Sequence, residues 1–504
     1  MLKRMFVAPD PGRVRLRFAV RAVLGIMVAA AASGITGHSL AAVITGGLAA
    51  LLALFTVADP TVRGQAVTTA LLPAVGLPVL ALAAGLHAHP LARDVAFVAV
   101  AAAGVYARRW GARGHALGVF GFMTFFVAQF LHTVPGQLPR LFTSVLLALA
   151  AAAAVRFGVW CYERRLPPPL VPVLPGGRGL ARTTTRQAAQ VAVAGAVALG
   201  IGQLLSQDRW YWAVGAAWWI FVNTASRGET LVRGFRRVAG TVLGIGVGAL
   251  VAVPLEGAAL PTAVLVALCV FGIFYTAAVS YTWMMLAVTV LVGLLYGLLG
   301  VLEPALLALR VLETGVGALA AALAVLLVLP VSTHATNDAW IQRALHCVHR
   351  CTTEAARRLA GDPEADPAPL AAELETLLVR ARLSVAPLVH PLSPLRARKA
   401  RARRVLALLD DCAREVRGLA AVAADPQASH DARLAAACRR VEAAVRVLVA
   451  PGVHPAAAEP EAETAAAHHP GAEAALRHLH GLERVLADLV APLHTSPRAP
   501  LVDA

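Results

Sequence analysis

The chain has 504 residues, 58% of them hydrophobic and only 15% charged, with a mean hydropathy of +0.68. Soluble domains run nearer about 45–50% apolar and 25% charged. The composition fits an integral membrane protein and argues against a secreted, disordered or nucleic-acid-binding chain.

The net charge of +16 is uneven. Residues 1–331 hold 24 Lys+Arg against 9 Asp+Glu, whereas residues 332–504 hold 21 against 20. The excess therefore lies in the apolar part, where membrane orientation explains it better than nucleic acid. Lysine occurs only as Lys3 and Lys399, the skew of a GC-rich bacterial genome. No Gly-Lys-Ser/Thr can be written, which excludes a P-loop ATPase. Six scattered cysteines do not make a secreted disulfide framework.

In chain order, twelve apolar stretches read as membrane spans, at about 18–36, 39–57, 66–86, 91–107, 115–132, 139–161, 187–205, 210–224, 238–254, 260–279, 283–301 and 309–330. The first is long enough to span rather than to serve as a cleaved leader. The stretches 91–107 and 210–224 are short, and Trp210, Tyr211, Trp212, Trp218 and Trp219 read as an interfacial belt at entry to the eighth. On this count, alternate loops collect 18 basic residues against 4 on the other side, which predicts that both termini face the cytoplasm of a bacterial inner membrane.

A Pro/Gly/Arg linker at 163–182 separates two sets of six spans, residues 1–162 and 183–331. One offset of 170 pairs Asp59 with Glu229, Arg63-Gly64 with Arg233-Gly234, Gly76 with Gly246 and Arg140 with Arg310. The expected fold is all-α and polytopic, with two parallel repeats of six helices. After Pro330, residues 338–360, 368–386, 395–424, 428–450 and 472–491 read as amphipathic helices of a cytoplasmic bundle, residues 332–504, with an acidic insertion near 451–471.

The segment 227–248 (RGETLVRGFRRVAGTVLGIGVG) reads as a cytoplasmic loop with Glu229, Arg233, Arg236 and Arg237, running into a glycine-studded span. Such glycines permit close helix contact. Positive-inside bias and packing account for it about as well as an arginine-lined anion mouth does. The pattern Arg233-Gly234, Arg237, Gly240-Thr241 and Gly244 resembles the fusaric-acid-resistance family, within the broad group of aromatic carboxylic acid exporters. The first half departs from it, keeping Arg63-Gly64 and lacking the rest. The resemblance implies efflux of small organic anions, often aromatic acids.

The third span of each half, carrying Pro73, Gly76 and Pro78 in one and the glycines in the other, reads as a matched pair of interrupted helices. The candidate pathway is thus Arg233, Arg237, Gly240, Thr241, Gly244, Arg63, Pro73 and Gly76. Candidates for proton coupling or gating are Glu229, Asp59, Arg310 and Glu313, since ionisable groups within spans are costly. Asp59 and Glu229 read first as balancing Arg63 and Arg233. Arg310 and Glu313, at the outer end of the last span, read as a mutual pair. Arg21 and Arg156 read as snorkelling to the cytoplasmic face. His132 and Asn223 stand near span ends.

In the tail, His346-Cys347 and His349 with Cys351 suggest buried small cysteines before a soft-metal site, there being no Cys-x-x-Cys. The basic run Arg396–Arg404 reads equally as a solvated helix start or a lipid-headgroup contact. The reading is therefore a proton-driven exporter of organic anions, with a gated anion channel or an envelope scaffold as alternatives. No enzymatic chemistry, cofactor or metal is indicated. The partners implied are membrane lipids and the anion, with a homo-oligomer left open and no nucleic acid.

Overall fold

A computed structural model describes residues 13–163, 178–255, 258–331, 333–389, 396–424, 432–449 and 470–494. Lys3, Arg4, most of the expected linker (164–177) and nearly all of the expected acidic insertion (451–469) lie outside the described residues. The chain divides into two compact units, Met1–Val331 and Ser332–Ala504, and no strand occurs among the described residues.

The first unit holds two sets of six helices. The first set is α1 (Val14–Ile35), α2 (Leu40–Thr56), α3 (Val62–Gly85), α4 (Pro90–Tyr106), α5 (Gly111–Phe130) and α6 (Leu138–Glu163). The second is α7 (Thr183–Leu205), α8 (Tyr211–Phe221), α9 (Arg227–Ala252), α10 (Ala259–Thr276), α11 (Tyr281–Leu298) and α12 (Pro304–Leu327). Local sequence sets the boundaries. Ser39, Thr61 and Ser226 cap α2, α3 and α9 by accepting from the amides of Ala42, Gly64 and Glu229. Pro90 and Pro304 open α4 and α12, where their missing N–H costs nothing.

Packing within the sets corresponds pair by pair. In the first, α1 packs on α2 and α6, α2 on α6, and α5 on α3 and α4. In the second, α7 packs on α8 and α12, α8 on α12, and α11 on α9 and α10. Between them the contacts are reciprocal: α4 meets α7, and α10 meets α1. Such mutual exchange is what a two-fold relation between like units produces.

Among the described residues, nine helical stretches are long and apolar enough to cross a membrane. One of these, Pro90–Phe130, contains both α4 and α5. These two fold back on each other through Gly111 (φ +75°), and Gly104 and Gly118 touch backbone to backbone. A methyl on Gly104 would lie 2.8 Å from the Gly118 carbonyl oxygen.

The expected eighth span is corrected. Helix α8 has eleven residues, a reach of about 16 Å against about 30 Å of hydrocarbon. Its aromatic residues are no interfacial belt. Trp210, Tyr211, Trp212 and Trp218 are buried against Phe97, Phe122, Phe126 and Phe130 of α4 and α5, Trp218 stacked on Phe122 and the others edge to face. A helix enclosed by protein need not match the bilayer in length.

Arg156 does not snorkel either. It is buried in α6 and donates to the carbonyls of Val57 (2.9 Å), Ala53 (2.9 Å) and Leu54 (3.3 Å) at the end of α2. Arg108 does the same for α8, donating to the Phe221 and Thr224 carbonyls. Gln187 also donates to the Thr224 carbonyl. A guanidinium thus serves the last carbonyls of the second helix in each set, where the helix dipole favours a cation. His132 and Asn223 take left-handed φ just beyond the ends of α5 and α8.

The second unit contains α13 (Thr333–Leu359), α14 (Ala368–Val389), α15 (Arg396–Ala423), α16 (Ala432–Val449) and α17 (Pro470–His494), close to the expected helices. They share one apolar core, which includes Cys347, Cys351, Cys412 and Cys438. The Cys347 and Cys351 thiols donate to the carbonyls of Leu370 and Pro367, and His346 points outward. Burial pushes the thiols of Cys347, Cys351 and Cys412 up to about 12, so they stay protonated and behave as small hydrophobes.

Candidate functional site

The arginine segment is helix, not loop. Ser226 caps α9, and the Glu229 carboxylate reaches back to accept from the Ala225 amide at 2.9 Å. This is close to a capping box, and it commits Glu229 to holding the helix start. The residues expected in a loop therefore lie on helical faces. Arg237 is buried and Arg233 half-buried, and both face Tyr281, the first residue of α11. The Arg233 guanidinium lies 3.9 Å over the Tyr281 ring. Arg237 donates to the Tyr281 hydroxyl at 3.3 Å and to the Met285 sulfur at 3.2 Å. No carboxylate lies within ion-pair distance of Arg237 among the described residues, and its Nε is unpaired.

Beyond Arg237, α9 meets α11 along its glycines. A methyl on Gly240 would lie 2.5 Å from the Thr282 carbonyl oxygen, and one on Gly244 2.7 Å from Thr289 Cβ. Thr241 is buried in the same helix. Gly246 points outward with nothing near it. Further along, Gly244, Gly248, Thr289, Gly293, Tyr296 and Arg310 line a small cavity between α9, α11 and α12.

Arg310 and Glu313 belong here, and not at the very end of a span. Glu313 is the tenth residue of α12, roughly 14 Å from its start. Both side chains are buried. They form an ion pair at 3.9 Å, too long for a hydrogen bond. The Arg310 guanidinium also lies 3.4 Å over the Trp212 ring. Neither Glu313 oxygen has a hydrogen-bond partner among the described residues, nor do the hydroxyls of Tyr211 and Tyr296. Arg209, Tyr211, Tyr296, Arg310 and Glu313 are electrostatic neighbours, and Arg310 also feels the charge of Arg237.

The first-half candidates are not brought to this cluster. Helix α3 runs unbroken through Pro73 and Pro78, as α9 does through its glycines, so the expected interruptions are absent from both. Gly76 makes room for Phe120, whose ring would lie 2.3 Å from an added methyl. Arg63 is exposed, and Asp59 pairs with Arg113 at 3.8 Å instead.

The offset of 170 fails for this pair of helices. Their caps, Thr61 and Ser226, are 165 apart (226 less 61). Asp59 therefore precedes its helix while Glu229 lies inside its own. Gly76 is buried where Gly246 is exposed, so their match in sequence is not a match in place.

Sequence reasoning missed Tyr281, Met285, Thr289, Tyr296 and Trp212 as site residues. A polar-tipped aromatic at each end of α11 was the available signal, because a buried tyrosine hydroxyl needs a partner.

Residues 197–325 match the family described as fusaric acid resistance protein-like. Over that stretch the chain is similar to this family, and its long apolar helices are those of a multi-pass membrane protein. The match runs from within α7 into α12 and contains every residue of the cluster just described. The family suggests a membrane transporter or resistance protein. No curated protein and no solved structure matches the chain.

Proposed function

We propose that this protein exports small organic anions, aromatic carboxylates first among them, through the second six-helix set, driven by the proton gradient. The carrying observation is the buried guanidinium of Arg237. It lies in the seam between α9 and α11 with no carboxylate beside it, and Arg310 nearby shares one carboxylate, Glu313. Holding an unpaired cation out of water costs several kcal/mol. An entering carboxylate would offset that cost and could bind a guanidinium through two parallel hydrogen bonds. Tyr281, Trp212 and Tyr296 add aromatic surface for a ring. The family match supports transport. The reciprocal packing of the two sets supports a duplicated, parallel arrangement, and the arginine bias supports a bacterial inner-membrane location with both termini in the cytoplasm.

The test is transport in proteoliposomes, using labelled benzoate and salicylate beside acetate, with and without an imposed pH gradient. Accumulation of the aromatic acids above equilibrium, lost in Arg237→Ala, is the expected result. Flux that only equilibrates would favour a gated channel. No flux for any of the three would remove the reading.

A further inference from the structure

The buried acid of this cluster is unlike its surroundings. Its counterpart by packing in the first set is Ser144. The buried positions Ser144, Val145 and Ala148 of α6 repeat as Glu313, Thr314 and Gly317 of α12, each 169 residues on. The correspondence is anchored in space. Ala148 packs on Gly46 of α2 in one set, and Gly317 on Ala216 of α8 in the other. The two partners have exchanged glycine for alanine across the same contact.

At this place Ser144 is fully satisfied. Its hydroxyl donates to the Ala42 carbonyl at 2.6 Å and lies 3.3 Å from the Ser33 hydroxyl. Glu313 has neither kind of partner. A seam that needed only packing would be served by the serine. A carboxylate there with no hydrogen bond to either oxygen costs several kcal/mol.

We infer that Glu313 is the proton-binding group of the transport cycle, and that it shares Arg310 with the transported anion. This deepens the export reading and rests on it. Arg310 faces two ways: it borders the cavity and pairs with Glu313 at 3.9 Å. The cavity has room here for about one water, so it must widen in the transport cycle. When an anion from the cytoplasm then takes the guanidinium, Glu313 becomes an unpaired buried carboxylate and takes up one proton from the outer side. When the anion leaves outward, Arg310 returns and the proton departs to the cytoplasm. One proton is bound for each anion bound, and no charge is stranded.

The groups facing Glu313 are few. Arg310 is on its own helix, Tyr211 on α8, Tyr296 on α11, and Arg209 just before α8. Both arginines favour the ionised acid, and the tyrosines supply no charge near neutral pH. Of these, Arg310 alone is within ion-pair distance of Glu313.

One test needs no substrate. Arg310→Gln removes the competing cation. Infrared spectra of the detergent-purified protein at neutral pH should then gain the carbonyl stretch of a protonated carboxyl group. The band should be weaker in the native protein and missing from Arg310→Gln/Glu313→Gln. Arg310→Lys should restore the ionised form. A spectrum of Arg310→Gln that matches the double variant overturns the inference.

The second test is coupling. Benzoate flux by native protein should rise several-fold under a pH gradient, and flux by Glu313→Gln should not respond. An equal response in both overturns the inference. Absence of benzoate flux in the native protein would strike the export reading, while the infrared result would still decide the acid–guanidinium exchange.

Discussion

Three glycines on one face-changing helix make a sharp test of the seam between α9 and α11. In Gly240→Ala the new methyl meets the Thr282 carbonyl oxygen at 2.5 Å and Met285 Cβ at 2.8 Å. Ordinary contact begins near 3.4 Å, so α11 must retreat by about 0.9 Å (3.4 less 2.5). Overpacking of this kind costs about 1–3 kcal/mol, offset by about 1 kcal/mol of helix propensity gained over glycine. The net expectation is a loss of up to about 2 kcal/mol. Gly244→Ala meets Thr289 Cβ at 2.7 Å and should behave alike. Gly246→Ala meets nothing and should gain about 1 kcal/mol. The assay is thermal unfolding of the purified protein in one detergent, followed by tryptophan fluorescence, with anion flux measured in parallel. Gly240→Ala and Gly244→Ala should melt below native and Gly246→Ala at or above it. If all three shifted together, the close approach of α9 to α11 would be wrong.

Arg156→Met should lower thermal stability by about 3 kcal/mol, since it strips charge-assisted bonds from carbonyls at the end of α2. A variant as stable as native would restore the snorkelling arginine. Glu229→Ala should cost about 1 kcal/mol through the weakened start of α9 and leave the pH response of flux in place. Loss of that response would return Glu229 to proton coupling. In the second unit, thiols held at about 12 are ionised in about one molecule in ten thousand at pH 8. Cys347, Cys351 and Cys412 should resist iodoacetamide until urea is added, as mass spectrometry would read. The folded state holds these thiol protons more tightly than the unfolded chain does. Their contribution is therefore present below about pH 8.5 and is lost as pH rises toward 12. The unit should melt lower at pH 10 than at pH 8.

The helices of the membrane unit were legible in sequence because lipid and protein interior demand the same long apolar runs. Their boundaries follow Ser39, Thr61, Pro90, Ser226 and Pro304, whose backbone chemistry is local. What could not be read was the partner of each charge. Arg156 scored as a basic residue near a span end, and nothing local reveals that α2 ends beside it. Asp59 was assigned to Arg63 by nearness in sequence, but helix α5 delivers Arg113 to it. Glu229 reads as the balance for Arg233 until the start of α9 is fixed, and there it accepts from the Ala225 amide instead. The glycine run carried the right signal without its phase. Gly240 and Gly244 face α11 and Gly246 does not, a distinction that needs only the helical period once the buried face is fixed. The site itself was half legible. Arg233, Arg237, Gly244, Arg310 and Glu313 were singled out by cost and pattern. Of the aromatic residues around them, Tyr211 and Trp212 read as an interfacial belt, and Tyr281 and Tyr296 carry no local mark that sets them apart from apolar filling.

The exchange of Ser144 for Glu313 bears on stoichiometry. Two packed sets of helices would, if equal, offer two routes and let two anions cross independently. Here the acid and its guanidinium stand in one set, and a satisfied hydroxyl closes the same place in the other. On the proposed reading, each chain carries a single route, beside a silent copy that keeps its shape. Saturation by substrate should be hyperbolic in each chain, and a tandem in which one chain has lost Glu313 should keep half the coupled flux.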